Sequence, residues 1–351
     1  MHRNVSGAVE RSSELFARSC KIEGMGYSRG LEPILDSAHP AGAADKGFFR
    51  MTLPFNPYQE IASIAARYAG DEGEVRTAIE SLGISRRHSP SAPCHGSYRP
   101  CIALVIQGSK SLRLGTDVIN YGAGDYLLTS LDLPVIWRVV EASVEVPHFC
   151  LTLAINSEKV LELLSRADMP RPTMPGRGRG IAVNVATPEL LDATVRLLRL
   201  LDSPKDIAAM APLIEQEILY RVLTGPDGSR LISIAVADSH GNRIARAIAW
   251  LRQNFARPLR IEDLAEQVNM SVSSFHHHFK SITAMTPVQY QKQLRLHEAR
   301  RLMLVERLDA GTAGHRVGYQ SPSQFSREYS RVYGLSPVRD VEAAREPVDG
   351  A

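Results

Sequence analysis

The chain has 351 residues, of which 44% are hydrophobic and 23% are charged, and its formal net charge is +3. This length and composition predict a globular protein with two domains, each with its own core. No apolar run reaches the roughly 18 residues that cross a bilayer, and residues 1–7 lack the apolar stretch of a signal peptide. We therefore expect a cytoplasmic protein with no membrane partner.

The first two-thirds of the chain contain short strand-like segments. Residues 1–55 are rich in Ser, Gly and Ala without periodicity, which predicts a disordered extension outside the fold. Two β-type runs between 101 and 115 are joined at Gly108 and Ser109, and the patterns after them favour strands. These further strands are predicted at 126–129, 135–139 and 148–154. Closely spaced short strands with such turns are typical of a β-sandwich or barrel.

Helical spacing follows these strands. The predicted helices are 157–166, 189–201 and 212–223, with an exposed loop at 169–180. His95 and His148 lie in the strand region, but no H-x-H pair with a following Glu accompanies them. We therefore predict no metal site and no cofactor, and we expect His148 to be a hydrogen-bonded interior or rim residue.

The four cysteines show no C-x-x-C spacing, which favours reduced thiols. They are Cys20, Cys94, Cys101 and Cys150. A redox-sensing pair of Cys94 and Cys101 stays open, although only their proximity in sequence supports it.

One pattern occurs twice near the C-terminus, so that residues 271–287 correspond to 321–337. Each copy begins with a Ser suited to cap a helix, and each has apolar residues at i, i+4 and i+7, which predicts one buried face. The matched pairs are Phe275 with Phe325, Phe279 with Tyr329, and Ile282 with Val332. A helix-like segment and a turn precede each copy. The sequence therefore predicts two helix-turn-helix units, at about 261–282 and 311–332.

The leading helix of the second unit contains two glycines, Gly311 and Gly314. Each costs about 1 kcal/mol relative to Ala in a helix interior. Either this unit is the looser of the two, or its small residues let helices pack closely, and both interpretations stay open.

The segment 287–304 between the copies predicts a long connecting helix, which begins with Pro287 at a first helical position. At about 1.5 Å per residue it would be on the order of 25 Å long. Two recognition helices held by such a rod can reach successive major grooves, which are roughly 34 Å apart.

Charge is distributed unevenly along the chain. Residues 240–339 contain fifteen Lys and Arg against seven Asp and Glu, a net charge of +8, whereas the remainder carries −5. A basic block attached to an acidic remainder is the asymmetry expected of a nucleic-acid-binding domain.

If the paired aromatic residues point inward, the opposite helix faces turn toward DNA. Predicted base contacts are Ser273, His276, His277, Ser323, Gln324, Ser326 and Arg327. Arg327 is the strongest of these, because a guanidinium can donate two hydrogen bonds to guanine, and Gln324 can read adenine similarly. Phosphate contacts, which position the protein without reading sequence, are predicted for Lys280, Arg295 and Arg331.

The run of His276, His277 and His278 is a weak metal candidate. Adjacent helical residues point about 100° apart and do not converge on one ion as an i, i+4 pair does. We expect His278 to be partly buried or solvated while the other two approach DNA.

These motifs resemble the AraC/XylS family of bacterial transcription regulators over about 240–339. The resemblance rests on Leu264-Ala265, Ser271, Phe275, Phe279-Lys280 and Thr286-Pro287, followed by Val317-Gly318-Tyr319 and Ser321-Pro322-Ser323-Gln324-Phe325. Two residues depart from the family pattern. Gly314 stands where the second unit usually has Ala, and His277 stands where many members have Arg.

Residues 57–223 are similar to the N-terminal domain of one AraC subfamily. The similarity lies in Gln107-Gly108-Ser109-Lys110, in 126–134 and in 211–221. It implies an α+β fold, in which a cupin-like β-barrel with flanking helices precedes an all-α domain whose two helix-turn-helix units are joined by a long helix. The domains implied are 56–225, a linker at 226–239, the DNA-binding domain at 240–339 and a flexible tail at 340–351.

The resemblance implies a sequence-specific transcription regulator that is not an enzyme. Its implied partners are promoter or operator DNA, a small-molecule effector, a second copy in a homodimer, and RNA polymerase. Two alternatives stay open. A cupin-type metalloenzyme fused to a DNA-binding domain predicts bound metal and turnover, whereas an architectural DNA binder predicts affinity that depends on salt and hardly on sequence.

Overall fold

The computed structural model describes residues 56–166, 178–226, 228–236 and 239–345. The extension predicted at 1–55 and most of the loop predicted at 169–180 therefore lie outside the described residues. None of the helices within the described ranges is long and apolar enough to cross a membrane.

In the described part of the N-terminal region, ten strands form two antiparallel sheets. The strands are β1 (Gly73–Arg76), β2 (Leu82–Arg87), β3 (Cys94–Tyr98), β4 (Cys101–Gln107), β5 (Ser109–Leu114), β6 (Asp117–Gly122), β7 (Asp125–Thr129), β8 (Leu133–Glu141), β9 (His148–Ala154) and β10 (Ile181–Val185). One sheet has the order β1-β2-β9-β4-β7-β10, and the other has the order β3-β8-β5-β6. The predicted cupin-like fold is confirmed as a sandwich of these two sheets.

Strand β4 shows how the sandwich is covered on both sides. Its alternate residues Ile102 and Leu104 pack with the N-terminal helices, whereas Ala103 and Val105 face the other sheet. A strand buried on both faces needs apolar residues throughout, which explains the continuous run Ile102–Ile106 rather than an alternating pattern.

Gly108 marks the point where the chain changes sheets. Strands β4 and β5 follow one another directly, yet β4 pairs with β7 and β9, and β5 pairs with β6 and β8. Gly108 has φ +76°, and a Cβ atom there would lie 2.3 Å from the carbonyl oxygen of Glu141. Only Gly fits this crossing.

Five helices within the described residues lie on the side of the six-stranded sheet that faces away from the second sheet. They are α1 (Pro57–Tyr68), α2 (Ser157–Leu164), α3 (Pro188–Arg199), α4 (Pro204–Leu223) and α5 (Gly228–Ala235), with a 3₁₀ turn at Leu200–Asp202. Two predictions were wrong here. Helix α4 starts eight residues before the predicted Pro212, which lies inside it. The predicted linker 226–239 contains α5, which is held to the core by buried Leu231 and Ala235.

Seven helices follow in the described residues 239–345. They are α6 (His240–Asn254), α7 (Ile261–Gln267), α8 (Val272–Thr283), α9 (Pro287–Leu304), α10 (Ala310–Arg316), α11 (Pro322–Tyr333) and α12 (Pro337–Arg345). The connecting helix predicted at 287–304 matches α9, which begins with a capping box of Thr286 and Gln289. The expected flexible tail at 340–351 was wrong for its first part, because α12 extends to Arg345 and Asp340 is buried.

The two helix-turn-helix units are α7 with α8 and α10 with α11. Their turns contain residues of positive φ, Asn269 in the first and Gly318 in the second, as is common directly after a helix end. In the second unit, α10 packs on α11 so closely that a Cβ atom at Gly314 would lie 2.9 Å from the Phe325 ring. Of the two interpretations of the glycines, close packing is the one that the geometry at Gly314 supports.

Candidate nucleic-acid interface

Helix α8 turns one aromatic face inward and one polar face outward. Its N-cap is Ser271, whose side chain accepts from the Ser274 N–H at 3.3 Å. Phe275 and Phe279 are fully buried and pack on each other, with ring centroids 5.4 Å apart. The opposite side is exposed and consists of Ser273, His276, His277 and Lys280. The inward orientation predicted for the two phenylalanines is confirmed.

Helix α11 repeats this arrangement fifty residues later. Ser321 caps it by accepting from the Gln324 N–H at 3.3 Å. Phe325 and Tyr329 are buried with ring centroids 5.5 Å apart. The outward residues are exposed Ser323, Gln324, Arg327 and Arg331, with Ser326 half-buried. The structure thus brings the candidates from the two copies to equivalent positions on two helices.

The two strongest base-contact candidates make contacts within their own helix. Arg327 Nε donates to the Ser323 carbonyl oxygen at 3.2 Å, and Gln324 Nε2 donates to Glu328 Oε1 at 3.4 Å. Both side chains are exposed, so each can exchange this bond for one to a base edge. The other donors of the Arg327 guanidinium give it the capacity for a bidentate contact.

Glu328 was missed by sequence reasoning. Its carboxylate accepts from the Tyr319 hydroxyl at 2.8 Å and pairs with Lys292 Nζ at 3.0 Å. The i, i+4 spacing from Gln324 was the available signal. These contacts tie α11 to Lys292 of α9 and to the turn that precedes α11.

Arg295 does not have the role that the sequence analysis assigned to it. Its guanidinium donates to backbone carbonyl oxygens of Phe255 at 2.7 Å, Arg257 at 3.0 Å and Gly318 at 3.2 Å. These groups lie after α6 and in the turn of the second unit. Because these donors are used inside the protein, Arg295 does not fit the predicted phosphate contact and instead ties α9 to the segment between α6 and α7 and to the turn of the second unit.

The three consecutive histidines do not converge. His278 is half-buried and stacks on His240, with ring centroids 3.9 Å apart, whereas His276 and His277 are exposed. Within the described ranges, no three His, Cys, Asp or Glu side chains are grouped to hold a metal ion.

A polar group lies between the two sheets. Lys110 is 7% exposed, and its ammonium is 3.3 Å from the Tyr98 hydroxyl and 4.5 Å from the centre of the Trp137 ring. His148 is fully buried, and neither ring nitrogen has a hydrogen-bond partner among the described residues. Burial and the charges of Lys110 and Arg87 lower the pKa of His148 to about 3. His148 is therefore an interior residue as expected, but neutral and without the expected hydrogen bond.

Three cysteines lie in the sandwich as free thiols. Cys94, Cys101 and Cys150 are buried, whereas Cys20 lies outside the described residues. Burial raises the pKa of Cys101 to about 12 and also raises that of Cys150. Because the thiolate is the reactive form, the raised pKa of Cys101 argues against redox sensing through that thiol.

Comparisons with known proteins cover both regions of the chain. Residues 78–230 match the family model described as the AraC-type transcriptional regulator N-terminus, and residues 264–341 match one described as a helix-turn-helix domain. Over 109 residues the chain is 29% identical to the HTH-type transcriptional activator RhaS of Escherichia coli strain SE11. That alignment covers 31% of this chain and 39% of RhaS.

A solved structure of apo ToxT from Vibrio cholerae strain SCE256 is similar in fold, with a TM-score of 0.50 at 11% identity. The similarity covers 77% of this chain and all of the ToxT chain. In this chain the region that matches the AraC-type N-terminus therefore comes first, and the region that matches the helix-turn-helix domain follows it. The chain belongs to the AraC/XylS family of bacterial transcription regulators.

Proposed function

We propose that the chain is a sequence-specific transcription regulator that binds double-stranded DNA through α8 and α11. The observation that carries this proposal is the equivalence of the two helices. Each buries an aromatic pair and exposes polar side chains near its N-terminal end, which is the end of a recognition helix that contacts bases. Helix α9, with 18 residues, is about 27 Å long, a length suited to successive grooves.

The proposed contacts divide into two classes. Base contacts are assigned to Ser273, His276, His277, Ser323, Gln324, Ser326 and Arg327. Phosphate contacts are assigned to Lys280 and Arg331, both exposed. The net charge of +8 over 240–339 supports attraction to DNA that weakens as salt rises. We also propose that the protein has no catalytic activity and that it acts in the bacterial cytoplasm, where promoter DNA is found.

Arg327→Ala is expected to weaken binding to the selected site by about 1–3 kcal/mol and to relax preference at one base pair. Binding-site selection on random duplexes, followed by footprinting, measures both effects. Arg327→Lys is the matched variant, because it keeps the charge but loses the bidentate donors. If Arg327→Lys binds as tightly as the wild-type chain and neither variant changes the base preference, Arg327 contacts phosphate instead. Equal affinity of the wild-type chain for unrelated DNA would support an architectural binder.

We infer that the N-terminal sandwich senses a small-molecule effector. The buried side chains of Lys110 and His148 support this inference. When the interior opens, the Lys110 ammonium and the His148 imidazole, which has no hydrogen-bond partner among the described residues, can bind a polar ligand. Binding-site selection repeated with candidate metabolites tests it, and a shift in DNA affinity or site preference is the expected result. Contact with RNA polymerase is part of the same proposal.

We also propose a homodimer formed through α4. This helix exposes three apolar side chains along one side, Met210, Leu213 and Tyr220, with Leu213 60% exposed. A second copy supplies the same apolar row, as an isologous interface requires. Leu213→Glu is expected to shift the chain from dimer to monomer in sedimentation velocity. Val185→Glu, at a site that is 74% exposed on β10, is the control, and equal loss of dimer in both variants would contradict α4.

A further inference from the structure

The N-terminal sandwich caps the C-terminal end of helix α8. Arg179 Nη1 donates to the carbonyl oxygens of Lys280 and Ser281, each at 3.1 Å. The Gly180 N–H donates to the Ile282 carbonyl oxygen at 2.8 Å. Carbonyls in the last turn of a helix have few partners within it and are usually left to water or to capping groups. Here the capping groups come from the other region of the chain.

Arg179 is itself held by the sandwich. Its Nε donates to Asp117 Oδ2 at 2.5 Å, at the start of β6. The preceding turn approaches the end of α8 so closely that a Cβ atom at Gly115 would lie 2.8 Å from the Ala284 carbonyl oxygen. The end of α8 is therefore held by a paired guanidinium and by steric contact with the β5–β6 turn.

A second set of contacts centres on Asp132, between β7 and β8. Its carbonyl oxygen accepts from the Tyr290 hydroxyl of α9 at 2.7 Å. Its carboxylate, 11% exposed, pairs with Arg252 of α6 and accepts from the Ser97 hydroxyl. Both helices that flank the first helix-turn-helix unit are thus bonded to one residue of the sandwich.

The second unit meets the sandwich through aromatic rings. His95 of β3 lies with its ring centroid 4.6 Å from that of Tyr333, the last residue of α11, and 6.3 Å from that of His297 in α9. The sandwich therefore touches the C-terminal ends of both recognition helices. The base-contact candidates in their N-terminal halves are exposed, except for half-buried Ser326.

We propose that the sandwich is a brace that sets the angle and separation of α8 and α11, and that Arg179 is a positioning residue for α8. This inference rests on the proposed function. Among the described residues, these contacts lie at the C-terminal ends of α8 and α11 and on the neighbouring helices α6 and α9, so the brace leaves the DNA-facing ends clear and supports binding. If α8 and α11 are held in the arrangement that DNA binding requires, they lose less conformational freedom on binding than two helices that move independently.

A subsite is the stretch of base pairs that one recognition helix contacts, as found by binding-site selection. Arg179→Ala is expected to weaken binding about tenfold to a duplex that carries the subsites of both α8 and α11, because the substitution removes hydrogen bonds from a charged donor. Binding to a duplex with one subsite is expected to stay within about twofold, since one helix needs no partner in register. The penalty for changing the spacer by one or two base pairs is expected to shrink. A general loss of stability would not relax this spacing preference.

Fluorescence anisotropy of the full chain on these duplexes is the test, with three variants. Tyr290→Phe keeps the buried ring and removes the hydroxyl that donates to Asp132, and it is expected to act in the same direction as Arg179→Ala. Arg67→Ala is the control, because it removes an ion pair with Asp202 at 2.7 Å that is remote from the helix-turn-helix units. It is expected to leave spacing preference unchanged.

Two outcomes would overturn the brace alone. In the first, Arg179→Ala and Tyr290→Phe keep the affinity and spacing preference of the wild-type chain. In the second, they bind the two-subsite duplex more tightly, which would make the contacts inhibitory. A wild-type chain with no sequence preference would overturn the proposed function itself, so the two failures are distinguishable.

Discussion

Replacing Asp340 by Ala is expected to lower the free energy of unfolding of the second helix-turn-helix unit by about 3–5 kcal/mol. Asp340 is 1% exposed and accepts from Arg300 Nε at 2.7 Å and from the Tyr329 hydroxyl at 2.6 Å. Arg300 is itself only 7% exposed. Removing the carboxylate takes away the buried anion that pairs with the Arg300 guanidinium and that accepts from the Tyr329 hydroxyl, and breaking this buried pair accounts for most of the cost.

Urea denaturation combined with amide hydrogen exchange measures this effect, because exchange reports on α10 to α12 separately. Asp263→Ala is the matched control. Asp263 lies on the surface of α7, 3.8 Å from Arg260, and both side chains are more than half exposed. Such a pair contributes at most about 1 kcal/mol. Similar losses in the two variants would contradict the importance assigned to the buried network.

Phe279→Ala is expected to destabilise the first unit by about 3–5 kcal/mol, the range for removing a buried phenylalanine. The Phe279 ring is fully buried, with centroids 5.4 Å from Phe275 and 5.6 Å from Tyr290. Its removal leaves a cavity where α8 meets α9. Contact with the first DNA subsite should therefore be lost before contact with the second.

Thermal denaturation and footprinting on a two-subsite duplex check this prediction. Val272→Ala on the same helix is the control, since Val272 is 39% exposed and its truncation should change stability by less than about 0.5 kcal/mol. A Phe279→Ala variant that keeps both footprints and loses less than about 1 kcal/mol would show that α8 does not depend on this aromatic core.

Prediction from sequence succeeded where the signals were local. The start of α9 was predicted from Pro287, a local signal to which the structure adds the capping box of Thr286 and Gln289. Strand β9 matches its predicted range because apolar residues fill it on both sides. Strand β3, with the sequence CHGSY, was missed, since Gly and Ser carry little strand preference and its pairing with β8 is not visible locally. The extent of α4 was misjudged because Pro212 resembles a helix start.

The candidate site divides in the same way. The outward faces of α8 and α11 could be predicted because helical geometry alone separates the buried aromatic positions from the rest. The role of Arg295 could not be predicted, because the carbonyl oxygens that accept from its guanidinium belong to residues 23 to 40 positions away in the sequence. Asp340 was placed in a flexible tail because its partner Arg300 is 40 residues distant.

The duplicated pattern by itself determined that this chain carries two recognition helices on a rigid connector, because caps and apolar spacing act within a few residues. Only the tertiary structure decided what restrains those helices. Arg179 meets the end of α8 across about a hundred residues of sequence, and Tyr290 meets Asp132 across 158. Such contacts depend on how the two sheets and the helical region pack together, and no local preference encodes that arrangement.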